Sequence, residues 1–232
     1  MPPPNPEDFA SFYQNFNSPI TRLDCGNKCA PYNEHGVPFC CDTRHTIPTA
    51  YQNEWEYLQA NTGLWHLFQP NQPQRPGRIL SDVPDGQVMI ECQGHKFCQR
   101  NFRSITCRSF PFFPYITRQD EFIGMTYYWA YADRCWVISH LSEVRFDYVN
   151  EFISTFEALF ERMPDDRENF RHYSSVMRRH YGRLKKAIPL LHRNGKYYKI
   201  TPRNGHKRRV SPESFPKFDP YRIADRLPFA DE

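Results

Sequence analysis

The chain has 232 residues, enough for one large domain or two small ones, and its 16% of aromatic residues indicates a core built mainly from Phe, Tyr and Trp. Its net charge of +4 is unevenly distributed: residues 171–210 hold 13 Lys and Arg without a single Asp or Glu, and the remainder carries −9. No stretch approaches the roughly 18 apolar residues of a membrane-spanning helix, so we expect no membrane span.

The N-terminal half predicts short elements around an irregular loop. Residues 6–16 predict an amphipathic helix, because Pro6 stands near its start and acidic residues follow in the first turn. Residues 21–48 carry four cysteines among Gly, Asn, Pro and His without helical or strand periodicity, which indicates a loop that bears metal ligands. A second helix is predicted over residues 49–60, followed by a polar, Pro-rich link over residues 69–77.

The central part of the chain predicts β structure. Residues 78–83 and 87–91 are predicted strands, joined by a turn at residues 84–86. Residues 122–129 are rich in aromatic side chains and predict a third strand.

The C-terminal part predicts a helical pair and a hairpin. Apolar residues recur three to four positions apart over residues 142–163, which predicts a helix that Pro164 ends. Residues 167–186 predict a second helix with much of the basic charge. Residues 196–201 and 206–211 flank a Pro-Arg-Asn-Gly turn and predict a β-hairpin.

These elements together predict an α+β fold. We expect a small irregular metal-centred domain with short strands over residues 1–140. Residues 141–232 are expected to form a helical and basic region, with the helical pair and β-hairpin, packed on that domain.

The cysteines are the strongest chemical signal of the sequence. The N-terminal residues lack a charged segment followed by an apolar run, so we expect no signal peptide and a cytoplasmic location, where glutathione and thioredoxin oppose disulfides. Clustered thiols then favour metal binding. The candidate ligands are Cys25, Cys29, Cys40, Cys41, Cys92, Cys98, Cys107 and Cys135.

Eight thiols allow two four-ligand sites, or one site with spare cysteines. Adjacent Cys40 and Cys41 are expected to point in different directions and so not to bind the same ion. Cys135 has an alternative role as a core residue beside Trp136. Mixed ligation would draw on the histidines near the cysteines, which are His35, His45 and His95.

The order of the cysteines resembles that of the zinc- or iron-chelating cysteine-cluster family of the YkgJ type, and of the related domain of flagellin lysine N-methylases. The residues that match the most specific stretch of the family are Cys98, Cys107, Arg108, Phe110 and Pro111. Cys29, Cys40 and Cys41 resemble its first group, Cys92 the opening member of the second group, and Cys135 its terminal cysteine. The resemblance covers roughly residues 22–140 and implies a metal centre that is redox-capable in some members.

The sequence also departs from the family pattern at three places. The spacer before the double cysteine is longer, the spacer over residues 99–106 lacks an Arg-Pro pair, and Trp136 rather than Pro follows Cys135. These departures leave open which four cysteines bind the metal.

The spacing favours an iron–sulfur cluster, which we expect to be of the 4Fe–4S type, over zinc as the alternative. Zinc ribbons commonly use pairs of C-x2-C knuckles, and this sequence has none. Iron–sulfur clusters accept more irregular spacing, because their corners face different loops.

We expect a metal-binding protein with a structural, accessory or redox role, acting on an unidentified protein partner or acidic substrate. One alternative is a cluster-dependent oxidoreductase or protein-modifying enzyme, so catalysis stays open. The 10 glycines form no Gly-rich loop of the kind that binds S-adenosylmethionine, so methyl transfer is not carried over from the flagellin methylases. A second alternative is a nucleic-acid-binding module that uses the basic C-terminal quarter.

Overall fold

A computed structural model describes residues 2–69 and 83–225 of the protein, which form an α+β fold and confirm the predicted class. Its α-helices are α1 (Asp8–Asn15), α2 (Cys25–Cys29), α3 (Gln52–Asn61), α4 (Ile105–Ser109), α5 (Trp136–Ser139), α6 (Phe146–Arg162), α7 (Pro164–Arg183) and α8 (Tyr221–Ala224). Its strands are β1 (Thr49–Tyr51), β2 (Trp65–Leu67), β3 (Gln87–Cys92), β4 (Phe112–Ile116), β5 (Phe122–Tyr127), β6 (Ile188–His192), β7 (Tyr197–Ile200) and β8 (Lys207–Val210). In the described part of the chain, no helix has both the length and the apolar character that crossing a membrane requires.

A small antiparallel sheet has the strand order β1-β3-β2. Thr49 of β1 lies opposite Met89, and Trp65 of β2 lies opposite Cys92 at the end of β3. The predicted strand over residues 87–91 is therefore confirmed as β3. Its predicted hairpin partner over residues 78–83, like the predicted link over residues 69–77, lies almost wholly outside the described residues.

A larger sheet has the order β4-β5-β6-β7-β8, with every neighbouring pair antiparallel. The predicted strand over residues 122–129 is confirmed as β5, and the predicted C-terminal hairpin is confirmed as β7 and β8. This sheet takes β4 and β5 from residues before 140 and its other strands from residues after it. The boundary at residue 140 stays a prediction.

Strands β4 and β6 lie where the sequence predicts no strand, and each contains a proline, which cannot donate to a strand ladder. The structure shows how Pro189 is accommodated in β6. His192 donates its backbone N–H to the carbonyl of Lys196, whereas Arg193 donates its N–H to the carbonyl of Ile123 in β5. Because backbone N–H groups alternate in direction along a strand, the odd-numbered positions, which include 189, face β5. The β5–β6 ladder pairs only Gly124 and Met125 with β6, and Pro189 lies beyond its end.

The predicted helical pair is confirmed, with α6 and α7 inserted between β5 and β6. Tyr148, Phe152, Phe156 and Leu159 recur along one face of α6, and each is at least 99% buried in the main core. Helix α6 ends at Arg162, and Pro164 occupies the first turn of α7, where its missing N–H costs no helical bond. Helix α7 packs on β4 and β6, covering the second hydrophobic cluster.

The helix predicted over residues 49–60 is partly wrong, because its first three residues form β1. Pairing with β3 prevails over local helical propensity there. Helix α3 then begins at Gln52, where Glu54 Oε2 accepts the backbone N–H of Tyr51 at 3.1 Å and caps the first turn. The loop over residues 21–48 is mostly irregular as predicted, but it contains α2.

Asp166 joins the small sheet to the helical pair. Tyr51 Oη of β1 donates to Asp166 Oδ2 at 2.7 Å, and Gln87 Nε2 of β3 donates to Asp166 Oδ1 at 3.4 Å. Asp166 is only 6% exposed, and this burial raises the pKa of its carboxyl from 3.8 to about 6, against the opposing effect of the Tyr51 hydrogen bond.

We expect Asp166→Asn to flatten the pH dependence of folding stability between about pH 4 and pH 6. The native state binds the Asp166 proton more tightly than the unfolded state. Its stabilising contribution is therefore complete below the unfolded pKa of 3.8 and is lost as pH rises through about 6. The shift corresponds to about 3 kcal/mol at most.

Urea unfolding followed by circular dichroism at a series of pH values measures this effect. Asp165→Asn, a change at the exposed neighbouring position, is the matched control and should keep the wild-type pH profile. Identical pH profiles for wild type and Asp166→Asn would show that Asp166 does not titrate as described.

Candidate metal centre

Helix α2 places the first two cysteines one helical turn apart. The Asp24 carboxylate caps this helix by accepting the backbone N–H of Gly26 at 2.9 Å. Cys25 and Cys29 are four residues apart and so lie on the same face of α2. A Cβ at Gly26 would lie 2.9 Å from Pro38, so the absence of a side chain there lets the segment before the double cysteine pack closely against α2.

The double cysteine lies in a 3-10 turn over Phe39–Cys41. Cys40 Sγ and Cys41 Sγ are 4.0 Å apart, so the expectation that they point in different directions is wrong. The tight turn, unlike an extended strand, does not send neighbouring side chains to opposite faces. The expectation that the two cysteines do not bind the same ion stays a prediction.

Three further cysteines come from the segment between β3 and α4. Cys92 is the last residue of β3, and Cys98 follows a 3-10 turn over His95–Phe97. Cys107 lies within α4, whose N-cap Ser104 accepts the backbone N–H of Cys107 at 3.2 Å. A strand end, a loop and a short helix thus each present one thiol.

Cys135 precedes α5, and α5 packs against α2. Burial, together with the thiols of Cys25 and Cys29, raises the pKa of Cys135 well above its usual range. Cys135 is therefore part of the thiol neighbourhood. It also packs against the main core, as the alternative interpretation of this residue expects.

All eight sequence-predicted cysteines are free thiols. Each lies close enough to at least one other thiol for the two to interact electrostatically. The pKa of Cys107 is raised to about 12, chiefly by burial and in part by the thiols of Cys41, Cys98 and Cys92, against the opposing charge of Arg103. The pKa of Cys40 is likewise raised, by Cys41 above all, by burial, and by Cys107 and Cys25. The raised pKa values thus favour neutral thiols at Cys40 and Cys107 in the absence of a cation. A bound metal would supply the positive charge that stabilises thiolates.

Arg103 is a residue of this neighbourhood that the sequence prediction missed. Its Nε donates to Cys98 Sγ at 3.0 Å. Its positive charge also lowers the pKa values of Cys25, Cys41 and Cys107, against the larger effect of burial at Cys25 and Cys107. The available signal was an arginine in the short spacer between two cysteines of the most specific motif.

Arg108, which directly follows Cys107 in the motif, is buried with 6% exposure and holds the surrounding backbone together. Its guanidinium donates to the carbonyl oxygens of Arg103, Tyr13, Phe16, Arg100 and Asn101. It also lies 4.4 Å from the centroid of the Tyr13 ring. Burial lowers the pKa of Arg108 to about 10, so the group stays charged at neutral pH.

The thiols are neighbours without forming a finished coordination site. Within residues 2–69 and 83–225, no three His, Cys, Asp or Glu side chains are arranged to hold one metal ion. His35 instead approaches Glu34 at 2.9 Å, and His45 lies 4.0 Å from Asp42. The donor set fits a thiolate-bound metal in its chemistry, and side-chain rotation would have to complete the geometry.

We expect Arg108→Met to lower the free energy of unfolding by about 3 kcal/mol or more, because several buried carbonyls would lose their donor. Arg209→Met, an exposed arginine exchanged for the same residue, is the control and should change stability by less than about 0.5 kcal/mol. Urea unfolding of both variants measures the difference. Equal stability of the two variants would contradict a structural role for Arg108.

Comparison with known proteins finds no match: no protein-family model fits the sequence, and neither a curated protein nor a solved structure is significantly similar to it. A proposal for function therefore depends on the residues and the geometry described above.

Proposed function

We propose that this protein binds a metal centre through its cysteines, as an iron–sulfur cluster of the 4Fe–4S type or, alternatively, as zinc, and that the centre has a structural or accessory redox role. The observation that carries the proposal is that eight free thiols from separate segments of the chain interact electrostatically with one another. Cysteines that only fill a core would have no reason to be mutual neighbours across such long sequence separations.

The pattern of neighbours divides the thiols into two sets. One set is Cys41, Cys92, Cys98 and Cys107, because Cys41 and Cys98 both raise the pKa values of Cys92 and Cys107. The other set is Cys25, Cys29 and Cys135, since Cys25 and Cys29 raise the pKa of Cys135. Cys40 borders both sets, because Cys41, Cys107 and Cys25 all raise its pKa. The first set has the four thiols that one zinc ion or one cluster needs, and the second set has four when Cys40 is included.

Arg103 supports the proposal through its hydrogen bond to Cys98. N–H donors to ligand sulfurs stabilise the thiolate and, in iron–sulfur proteins, tune the reduction potential. Four thiolates around either metal leave a net negative charge, which the guanidinium partly offsets. A half-buried arginine beside neutral thiols would have no negative charge to offset its own.

The enzymatic alternative, a cluster-dependent oxidoreductase or protein-modifying enzyme, would need substrate access beside the centre. Arg108 follows Cys107 directly, but its N–H groups are committed to backbone carbonyls and not to a cleft. A cavity of about 600 Å³ has no cysteine in its lining. These observations favour the structural or accessory role.

Anaerobic purification followed by absorption spectroscopy and elemental analysis tests the proposal. Broad absorption near roughly 400 nm with iron and sulfide is expected for a cluster, and a colourless protein with one or two zinc ions for the alternative. Cys92→Ser/Cys98→Ser and Cys25→Ser/Cys135→Ser should each remove the metal of one set and leave that of the other. The control is His35→Ala, which should retain all metal. Metal-free protein, or full metal content in both double variants, would contradict the proposal.

Metal removal should loosen the cysteine-bearing loops. The sequence predicts unfolding over residues 22–110, and the structure narrows the expectation to residues 22–48 and 93–104. Leu58, Ile90 and Ile105 anchor the intervening segments in the main core. A structural zinc site contributes on the order of 10 kcal/mol to folding, which loops with little regular structure would lose.

Limited proteolysis and circular dichroism before and after chelation measure this loss. New cleavage sites should appear in the two loops, while α6 and α7 serve as an internal control and stay protected. Unchanged proteolysis and circular dichroism in protein shown to be metal-free would contradict a structural role for the metal.

A further inference from the structure

A second candidate site lies away from the cysteines, in a groove of about 600 Å³ between three elements. Helix α7 forms one wall, the turn after β4 contributes Thr117 and Arg118, and the loop between β7 and β8 contributes Pro202 and Arg203. None of these residues takes part in the proposed metal centre. A volume of this size is typical of sites for small molecules.

The groove is lined by five arginines: Arg118, Arg171, Arg178, Arg179 and Arg203. Arg171, Arg178 and Arg179 are seven and eight positions apart on α7, so helical geometry puts them on one face. Among the described residues, Glu168 provides the carboxylate that pairs with a groove arginine, and its partner is Arg171. The lining thus has a large excess of positive charge.

Several of these arginines are held in place before any ligand binds. Arg178 is 9% exposed; its Nη1 donates to the Ile116 carbonyl at 2.7 Å, and its guanidinium lies 5.8 Å from the centroid of the Tyr115 ring. Arg118 Nη2 donates to the Pro202 carbonyl at 3.1 Å and connects two walls of the groove. Such anchoring lowers the entropy that a ligand would have to remove.

The chemistry of the lining selects the class of ligand. Guanidinium groups present forked donors that match phosphate oxygens two at a time. Several arginines around one cavity suit an anion with several phosphate groups better than a single carboxylate. The aromatic side chain of the lining is His172, so the groove offers little stacking surface for a row of bases.

We propose that this arginine groove binds a small anion that carries several linked phosphate groups. This site is independent of the metal centre, and the proposal goes beyond the proposed function. A nucleic-acid backbone would instead be expected to follow an extended basic track with aromatic platforms. The confinement of the groove between three elements favours the small ligand.

Isothermal titration of the purified full-length protein with inorganic tripolyphosphate tests the proposal, with orthophosphate as the single-phosphate comparison. At about 0.15 M salt, where the screening length is about 8 Å, diffuse attraction by the basic quarter contributes little. We expect tripolyphosphate to bind with a Kd below about 100 µM and orthophosphate at least about tenfold more weakly.

A pair of double variants with equal charge change tests the location. Arg179→Gln/Arg203→Gln removes two exposed groove arginines, and Arg208→Gln/Arg209→Gln removes two exposed arginines of β8 outside the groove. The groove variant should bind tripolyphosphate at least about tenfold more weakly, and the β8 variant within about twofold of wild type. Circular dichroism should be unchanged for both variants.

Three results would overturn the proposal. The first is no binding of tripolyphosphate up to about 1 mM. The second is equal weakening by the two double variants, which would show attraction to the whole basic quarter. The third is tighter binding of a single-stranded oligonucleotide that both double variants weaken alike, which would assign the surface to nucleic acid.

Discussion

One buried guanidinium connects the elements on which the cysteines depend. Arg108 donates to carbonyls in two separate segments, the end of α1 with the residue after it and the stretch between Cys98 and Cys107. A charged group that is almost fully buried is tolerated only when its donors are satisfied. The position of the second cysteine group relative to α1 is thereby determined by hydrogen bonds of the protein itself.

Glu54 extends this network toward the small sheet. The carboxylate is fully buried and accepts from Tyr13 Oη at 2.7 Å and from the Ile105 backbone N–H at 2.6 Å. Burial raises its pKa to about 7, and Arg108 is among the groups that oppose this rise. Arg108, Tyr13 and Glu54 therefore join α1, α3 and α4 through one chain of polar contacts, and α4 carries Cys107.

The elements with a strong local pattern could be predicted from the sequence, and those stabilised by distant partners could not. The apolar periodicity of α6 and the turn between β7 and β8 are local signals. The prolines of β4 and β6 argued against strands, and only the sheet shows that Pro189 lies past the end of a ladder. The sequence predicts residues 49–51 as part of a helix. Their pairing with β3 is a tertiary contact that the local sequence does not show.

The same distinction applies to the candidate site. The sequence identified all eight cysteines, because residue type and spacing are local information. The relative direction of the Cys40 and Cys41 side chains was predicted wrongly, because it depends on a 3-10 turn that brings their sulfurs close together. Arg103 was missed, since one arginine in a spacer acquires meaning only when the fold places its Nε against Cys98 Sγ.

The two sets of thiols differ in how the fold supports them. Cys92 and Cys107 lie in β3 and α4, elements that pack into the main core and are tied to the Arg108 network. Cys25, Cys29 and Cys40 lie in a segment whose local apolar cluster comprises Cys29, Phe39 and Tyr221, with Trp136 packed beside it.

This difference in support determines what a bound metal would contribute to each set. Burial disfavours ionised thiols in both sets, so the thiolates need a metal to stabilise them. A metal bound by the first set would find two ligands, Cys92 and Cys107, on a scaffold that exists without it, whereas a metal bound by the second set would have to organise its own loop. Metal at the second set should therefore contribute more to folding, and metal at the first set is better placed for a role other than folding.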